Sequence, residues 1–186
     1  TKMLVASKLL KRVNNERVVP DCQKRRYYED SEMAAMFECC VDDAKMTLLL
    51  VILKEVGLRN GALNLLQYFS LVDETHEPRH SCNVREKAGS RRVFIVSDNL
   101  KAAIRRYYEQ LRVRLPADID LARVYIFNEV DPSQPLSNQT LRSWLSNLAA
   151  AANVTEVHVH PHAFRHTLVC NLMGAGNSLE AVSKYM

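Results

Sequence analysis

The run from Met46 to Leu53, MTLLLVIL, holds one polar residue, Thr47, and is closed by Lys45 and Lys54. A segment apolar on every face has to sit inside a fold, with other elements packed around it. It is far shorter than the roughly 20 residues that cross a bilayer. Asp42-Asp43 ahead of it are helix-capping residues and Gly57 behind it is a helix stop, so a buried central helix is predicted. Breakers are scarce throughout: five Gly and six Pro in 186 residues. That favours a helix-rich domain over a many-turned β-sandwich.

Other helices follow from caps and period. Asp30-Ser31 precede Met33, Met36 and Phe37 at helical spacing. A short helix carries Leu63, Leu65 and Leu66. Ser97-Asp98 open a segment with Leu100, Ile104, Tyr107, Tyr108 and Leu111; Ser137 opens one with Leu141, Trp144, Leu145 and Leu148. Pro161 stands where a helix accepts proline, at its first residue, and that helix runs to Gly174. Ser178 begins the last one. Between these lie three apolar stretches that read as strands, Phe69-Ser-Leu-Val, Cys82-Asn-Val-Arg and Arg92-Val-Phe-Ile-Val, the last two joined by a hairpin turn at Lys87-Ala-Gly-Ser. The expected fold is α+β, mainly helical, with a small three-stranded antiparallel sheet. Residues 1–26 read as a linker or the remnant of a separate preceding domain, and residues 27–186 as one compact unit.

Charge and cysteine content set the setting. Lys and Arg exceed Asp and Glu by 25 to 21, a mild excess, but the basic residues cluster in Lys8 to Arg12, Lys24-Arg25-Arg26, Arg85 to Arg92 and Lys101 to Arg106. Clusters flanking turns are placed to meet phosphates. Five cysteines, with no CxxC spacing, predict reduced thiols and an intracellular protein, in cytoplasm or nucleus. No run in these 186 residues is long and apolar enough to be expected to cross a bilayer, and the first residues do not read as a signal-peptide core.

The densest chemistry lies in Val157-His-Val-His-Pro-His-Ala-Phe-Arg-His-Thr-Leu. His162 and Arg165 are three apart and share a helix face. An imidazole beside a fixed cation near a helix N-terminus suits a phosphate. A second reading takes His158, His160, His162 and His166 as ligands of a hydrolytic metal, although Pro161 interrupts their alternation.

The order along the whole chain narrows the choice. Gly57-Leu58-Arg59 follows the central helix; Lys87 sits in the hairpin, ahead of Arg91-Arg92-Val-Phe-Ile-Val; then come His162-Ala-Phe-Arg165-His166-Thr167 and Gly174-Ala-Gly176-Asn-Ser-Leu-Glu-Ala-Val. Over roughly residues 27–186 this resembles the catalytic domain of the tyrosine recombinases, or phage-type integrases. The resemblance implies metal-free phosphoryl transfer on double-stranded DNA, with no cofactor. Arg59 and Arg165 match the two arginines that clamp the scissile phosphate, Lys87 the acid that protonates the departing 5′ oxygen, and His162 the residue that assists proton transfer. Lys24, Arg25, Arg26, Arg85, Arg91, Arg92 and His166 are expected as DNA contacts. The first residues would lead from the family's separate N-terminal DNA-binding domain.

The chain also departs from the family pattern. Ala62 stands where an acidic residue usually follows the first arginine. The family's Gly-His pair and nucleophilic tyrosine fall beyond Met186, and Tyr185 does not occupy the nucleophile's position. The resemblance therefore implies that this stretch by itself does not cleave DNA. It also implies a homo-tetramer on DNA for the intact enzyme. The alternative is a non-catalytic DNA-binding relative on the same fold.

Overall fold

The computed structural model describes residues 25–86 and 89–186. The first helix, α1 (Asp30–Cys39), opens with a reciprocal capping box between Glu29 and Glu32, one residue before the expected Asp30-Ser31 cap. Helix α2 (Ala44–Val51) is capped by the Asp43 carboxylate, which accepts from the Met46 N–H. It runs on without a break into a π-helical turn, Ile52–Val56, which Gly57 stops in the left-handed conformation at φ 63°. Leu48, Leu49, Leu50, Ile52 and Leu53 are fully buried, as an all-apolar run requires.

Around this axis the chain lays α3 (Asn60–Asn64), hairpin strands β1 (Ser81–Arg85) and β2 (Arg91–Ile95), α4 (Asp98–Arg114), α5 (Asn138–Ala151), α6 (Pro161–Gly174) and α7 (Leu179–Tyr185). Ser97, Ser137 and Ser178 cap their helices through their hydroxyls, as the sequence predicts. Helix α4 packs along α2, burying Leu100, Ile104, Tyr107, Tyr108 and Leu111. The Tyr108 hydroxyl donates to the Tyr68 carbonyl at 2.7 Å, so a fully buried phenol keeps a partner.

The sheet has two strands, not the expected three: β1 and β2 pair antiparallel with Val84 opposite Arg92 and Cys82 opposite Phe94. Residues Tyr68–Ser70, which overlap the start of the stretch read as a strand (Phe69 to Val72), form a 3₁₀ turn. Val72 makes only an isolated bridge to Pro78. The apolar content there serves burial of Tyr68, Leu71 and Val72 and not a ladder; a short apolar run does not distinguish the two.

Helix α6 crosses the π-helical turn. It is anchored on its other side by the entry segment: Thr167 Oγ1 accepts from the Tyr28 N–H at 2.8 Å and donates to the Ala163 carbonyl at 2.9 Å. Phe164 packs on the Tyr28 ring, with centroids 4.5 Å apart. Arg25 bridges to Val157 in parallel register. The site below depends on this docking. Among the described residues no helix is long and apolar enough to cross a membrane, and the four described cysteines are free.

Candidate active site

Three arginines from three parts of the chain meet at the crossing of α6 and the π-helical turn. Gly57 reverses the backbone, Leu58 is wholly buried and pins the turn, and Arg59 becomes the N-cap residue of α3 in an extended conformation. Its guanidinium pairs with Glu86. The Glu86 side chain is only 5% exposed, against 43% for Arg59, so the carboxylate fixes one edge of an otherwise accessible guanidinium.

Arg165 comes from α6. Its Nη1 donates to the Gly57 carbonyl at 2.9 Å and its Nη2 to the Met186 carbonyl. The Gly57 turn thus holds both clamp candidates: its carbonyl orients Arg165, and the chain leaving it presents Arg59. Burial, and then the charges of Arg59 and Arg92, push the Arg165 pKa down to about 10, so it stays charged at neutral pH.

Arg92 is the third. Alternation along β2 places Arg92 and Phe94 on the inner face, and Arg92 is 8% exposed. Burial lowers its pKa, opposed by Tyr185 and reinforced by Arg59. Arg85 and Arg91, on the other face of the hairpin, are exposed. The basic cluster read from the sequence is therefore split by the pleat: two guanidiniums outward, one inward.

His162 is exposed in the first turn of α6, one turn from Arg165. Lys87 and Lys24 lie outside the described residues. Arg25 is half-buried and tied to Glu29 and Glu32, so ion pairs occupy a residue expected on DNA; Arg26 and His166 are exposed. Sequence reasoning passed over Glu86. The signal was there: it continues the inward alternation of Cys82 and Val84.

The histidine ladder packs edge to face, with His158 and His160 centroids 4.8 Å apart and His160 and His162 5.8 Å apart. Among the described residues no group of three His, Cys, Asp or Glu side chains is placed to hold a metal ion. Burial, then His158, His162, His166 and Arg142, push the His160 pKa down from 6.5 to about 4. Its sign is definite: between those values the unfolded chain takes the proton and the folded one does not, so stability falls as pH drops from 6.5 towards 4. His160→Asn is expected to flatten that part of a melting-temperature-against-pH profile; an unchanged slope would assign the acid loss elsewhere.

A sequence model of the phage integrase family matches residues 26–186. Tyrosine recombinase XerC of Oceanobacillus iheyensis is 28% identical over 103 residues, covering 55% of this chain and 33% of that protein. Its namesake from Bacillus pumilus is 30% identical over 104 residues, with the same shares. The chain thus spans about a third of the length of these curated relatives. Among solved structures, XerA recombinase superposes with a TM-score of 0.69 at 23% identity, over 86% of this chain and 54% of that one. XerH site-specific recombinase bound to difH substrate, in a pre-cleavage complex, gives 0.67 at 14%, over 88% and 47%. These two show the same fold. With the family match running through the Arg59 turn, the hairpin and α6, the chain belongs to the phage integrase family, the tyrosine recombinases.

Proposed function

We propose that this domain belongs to a site-specific DNA recombinase or integrase and holds the DNA phosphodiester that is cut and rejoined. The observation that carries the reading is the convergence of Arg59, Arg92 and Arg165, with Glu86 as the one side-chain carboxylate paired among them in the described residues. Fixed cations in a partly desolvated site stabilise negative charge that develops on phosphate oxygens. Arginine suits this because its fork meets two oxygens at once.

In this reading Arg59 and Arg165 bind the non-bridging oxygens. A tyrosine from the segment that the family carries after the position of Met186 attacks phosphorus. A P–O bond to tyrosine forms, with His162 assisting removal of the phenolic proton, as the bond to the 5′ oxygen breaks and that oxygen takes a proton from Lys87. The resulting 3′-phosphotyrosyl link keeps the bond energy, and a 5′ hydroxyl reverses the step on the partner strand. Tyr185 is not given the attacking role: its hydroxyl donates to the Glu55 carbonyl at 2.9 Å. Arg26, Arg85, Arg91 and His166 contact the flanking backbone, and the same role is proposed for Lys24 and Arg25. The intact enzyme works as a tetramer on two duplexes.

Two measurements test this. The full-length protein incubated with nicked duplex DNA is expected to give a detergent-resistant protein–DNA adduct; its absence would leave a DNA-binding relative without cleavage. The affinity of this chain for duplex DNA is expected to fall steeply with salt, with a slope reduced by about one for Arg85→Gln and again for Arg91→Gln. A flat salt response would remove the DNA role of the hairpin.

A further inference from the structure

Arg92 is the odd member of the cluster. The sequence groups it with the exposed arginines of the hairpin, yet it is more than nine-tenths buried. Its Nε, Nη1 and Nη2 are all enclosed and make no hydrogen bond to any described residue. Arg165 and Arg59 both have protein partners, the Gly57 and Met186 carbonyls and Glu86. The neighbour of Arg92 is the Tyr185 ring, whose centroid lies 5.3 Å from the guanidinium carbon. A ring face offsets only part of the cost of burying a full charge and satisfies none of its N–H groups in their own plane.

A buried, unpartnered guanidinium next to two like charges is a costly arrangement for a folding unit. Val84, its cross-strand partner, shows that an apolar side chain fits this face of the hairpin. The cost is offset when an anion enters the cluster. Among the described side chains, three guanidiniums face one carboxylate, a side-chain surplus of two positive charges, which suits a phosphorus centre carrying two negative charges better than a diester carrying one.

We propose that Arg92 is a third phosphate-binding arginine, held inside the domain with Arg59 and Arg165 to meet the phosphate group from the sheet side. This deepens the reading given above and rests on it. It separates Arg92 from Arg85 and Arg91, which address the flanking DNA backbone.

The test uses the 186-residue chain with inorganic phosphate as the probe, read as phosphate-dependent thermal stabilisation, which follows from binding to the folded state alone. Arg92→Met is expected to melt at or above the wild-type temperature without phosphate, since an uncompensated charge has been removed. It is also expected to bind phosphate about tenfold more weakly or worse, the order expected when one charge-assisted hydrogen bond is removed. Arg92→Lys, which keeps the charge without the fork, should fall between. Arg92→Met melting several degrees below wild type without phosphate would make the residue a structural prop and overturn the proposal. So would unchanged phosphate affinity in that variant. Arg165→Gln separates the two levels of the argument. If it loses phosphate while Arg92→Met keeps it, only the role of Arg92 falls. If both variants keep wild-type affinity, or if phosphate does not stabilise the wild type, the phosphate reading of the whole cluster falls with it.

Discussion

Arg165→Gln in the full-length protein is expected to slow DNA strand cleavage by roughly 10²- to 10³-fold, the usual loss when one donor to a developing anion is removed. Its melting temperature should change little. Arg165 donates to the Gly57 and Met186 carbonyls, and a glutamine amide retains a donor for one of them. Removing a half-buried cation that Arg59 and Arg92 repel offsets the missing bond. Arg165→Lys should recover only part of the rate, because an ammonium cannot span two phosphate oxygens in a plane. Single-turnover cleavage of a nicked substrate, with a melting curve on each variant, checks this. Wild-type cleavage in Arg165→Gln would sink the clamp assignment, and a collapse of the fold would make the residue structural.

Gly57→Val should produce the largest loss of stability. Gly57 sits at φ 63°, and a Cβ there would lie 3.1 Å from Leu168 Cδ2 and 3.6 Å from the Arg165 Cα. A β-branched residue is strongly disfavoured at positive φ, and the close approach of α6 leaves no room on that side. Strain and overpacking together cost about 2–5 kcal/mol. Because α6 would be pushed off the turn, phosphate binding should weaken along with stability. Gly57→Ala, with less bulk, should show both effects at smaller size. Thermal melting with and without inorganic phosphate gives both numbers; a Val variant as stable as wild type would show that the turn relaxes freely.

These two positions show how far the sequence could be read. The Asp43 and Gly57 ends of the central helix, the Ser97, Ser137 and Ser178 caps and the Pro161 start are local events, decided by one hydrogen bond or one dihedral. Such features are legible from a few residues. The first helix began one residue early because Glu29 and Glu32 form a capping box that outcompeted Asp30 and Ser31. The stretch read as a third strand failed for another reason. Nothing local says whether Phe69 to Val72 will find a ladder partner, and burial of Leu71 and Val72 accounts for that segment's apolar character instead.

Arg59 and Arg165 were legible as candidates through their order along the chain, and their meeting at one turn was not. The same holds for the hairpin. The alternation Arg91-Arg92-Val-Phe marks two faces, but which face turns inward depends on what packs against the sheet. The sequence alone therefore determined that the helices and the hairpin exist, the Asp43, Ser97, Ser137 and Ser178 caps and the family order of cationic residues, because these depend on neighbours within a turn or two. It misplaced the first cap, and it carried the short helix through Leu65 and Leu66 where the structure ends it at Asn64. Only the tertiary structure decided that Glu86 holds Arg59, that the Gly57 carbonyl holds Arg165, and that Arg92 is buried beside them. Those pairings span 27 and 108 residues of chain, set by how α6 crosses the end of the central helix, and no local pattern encodes a crossing.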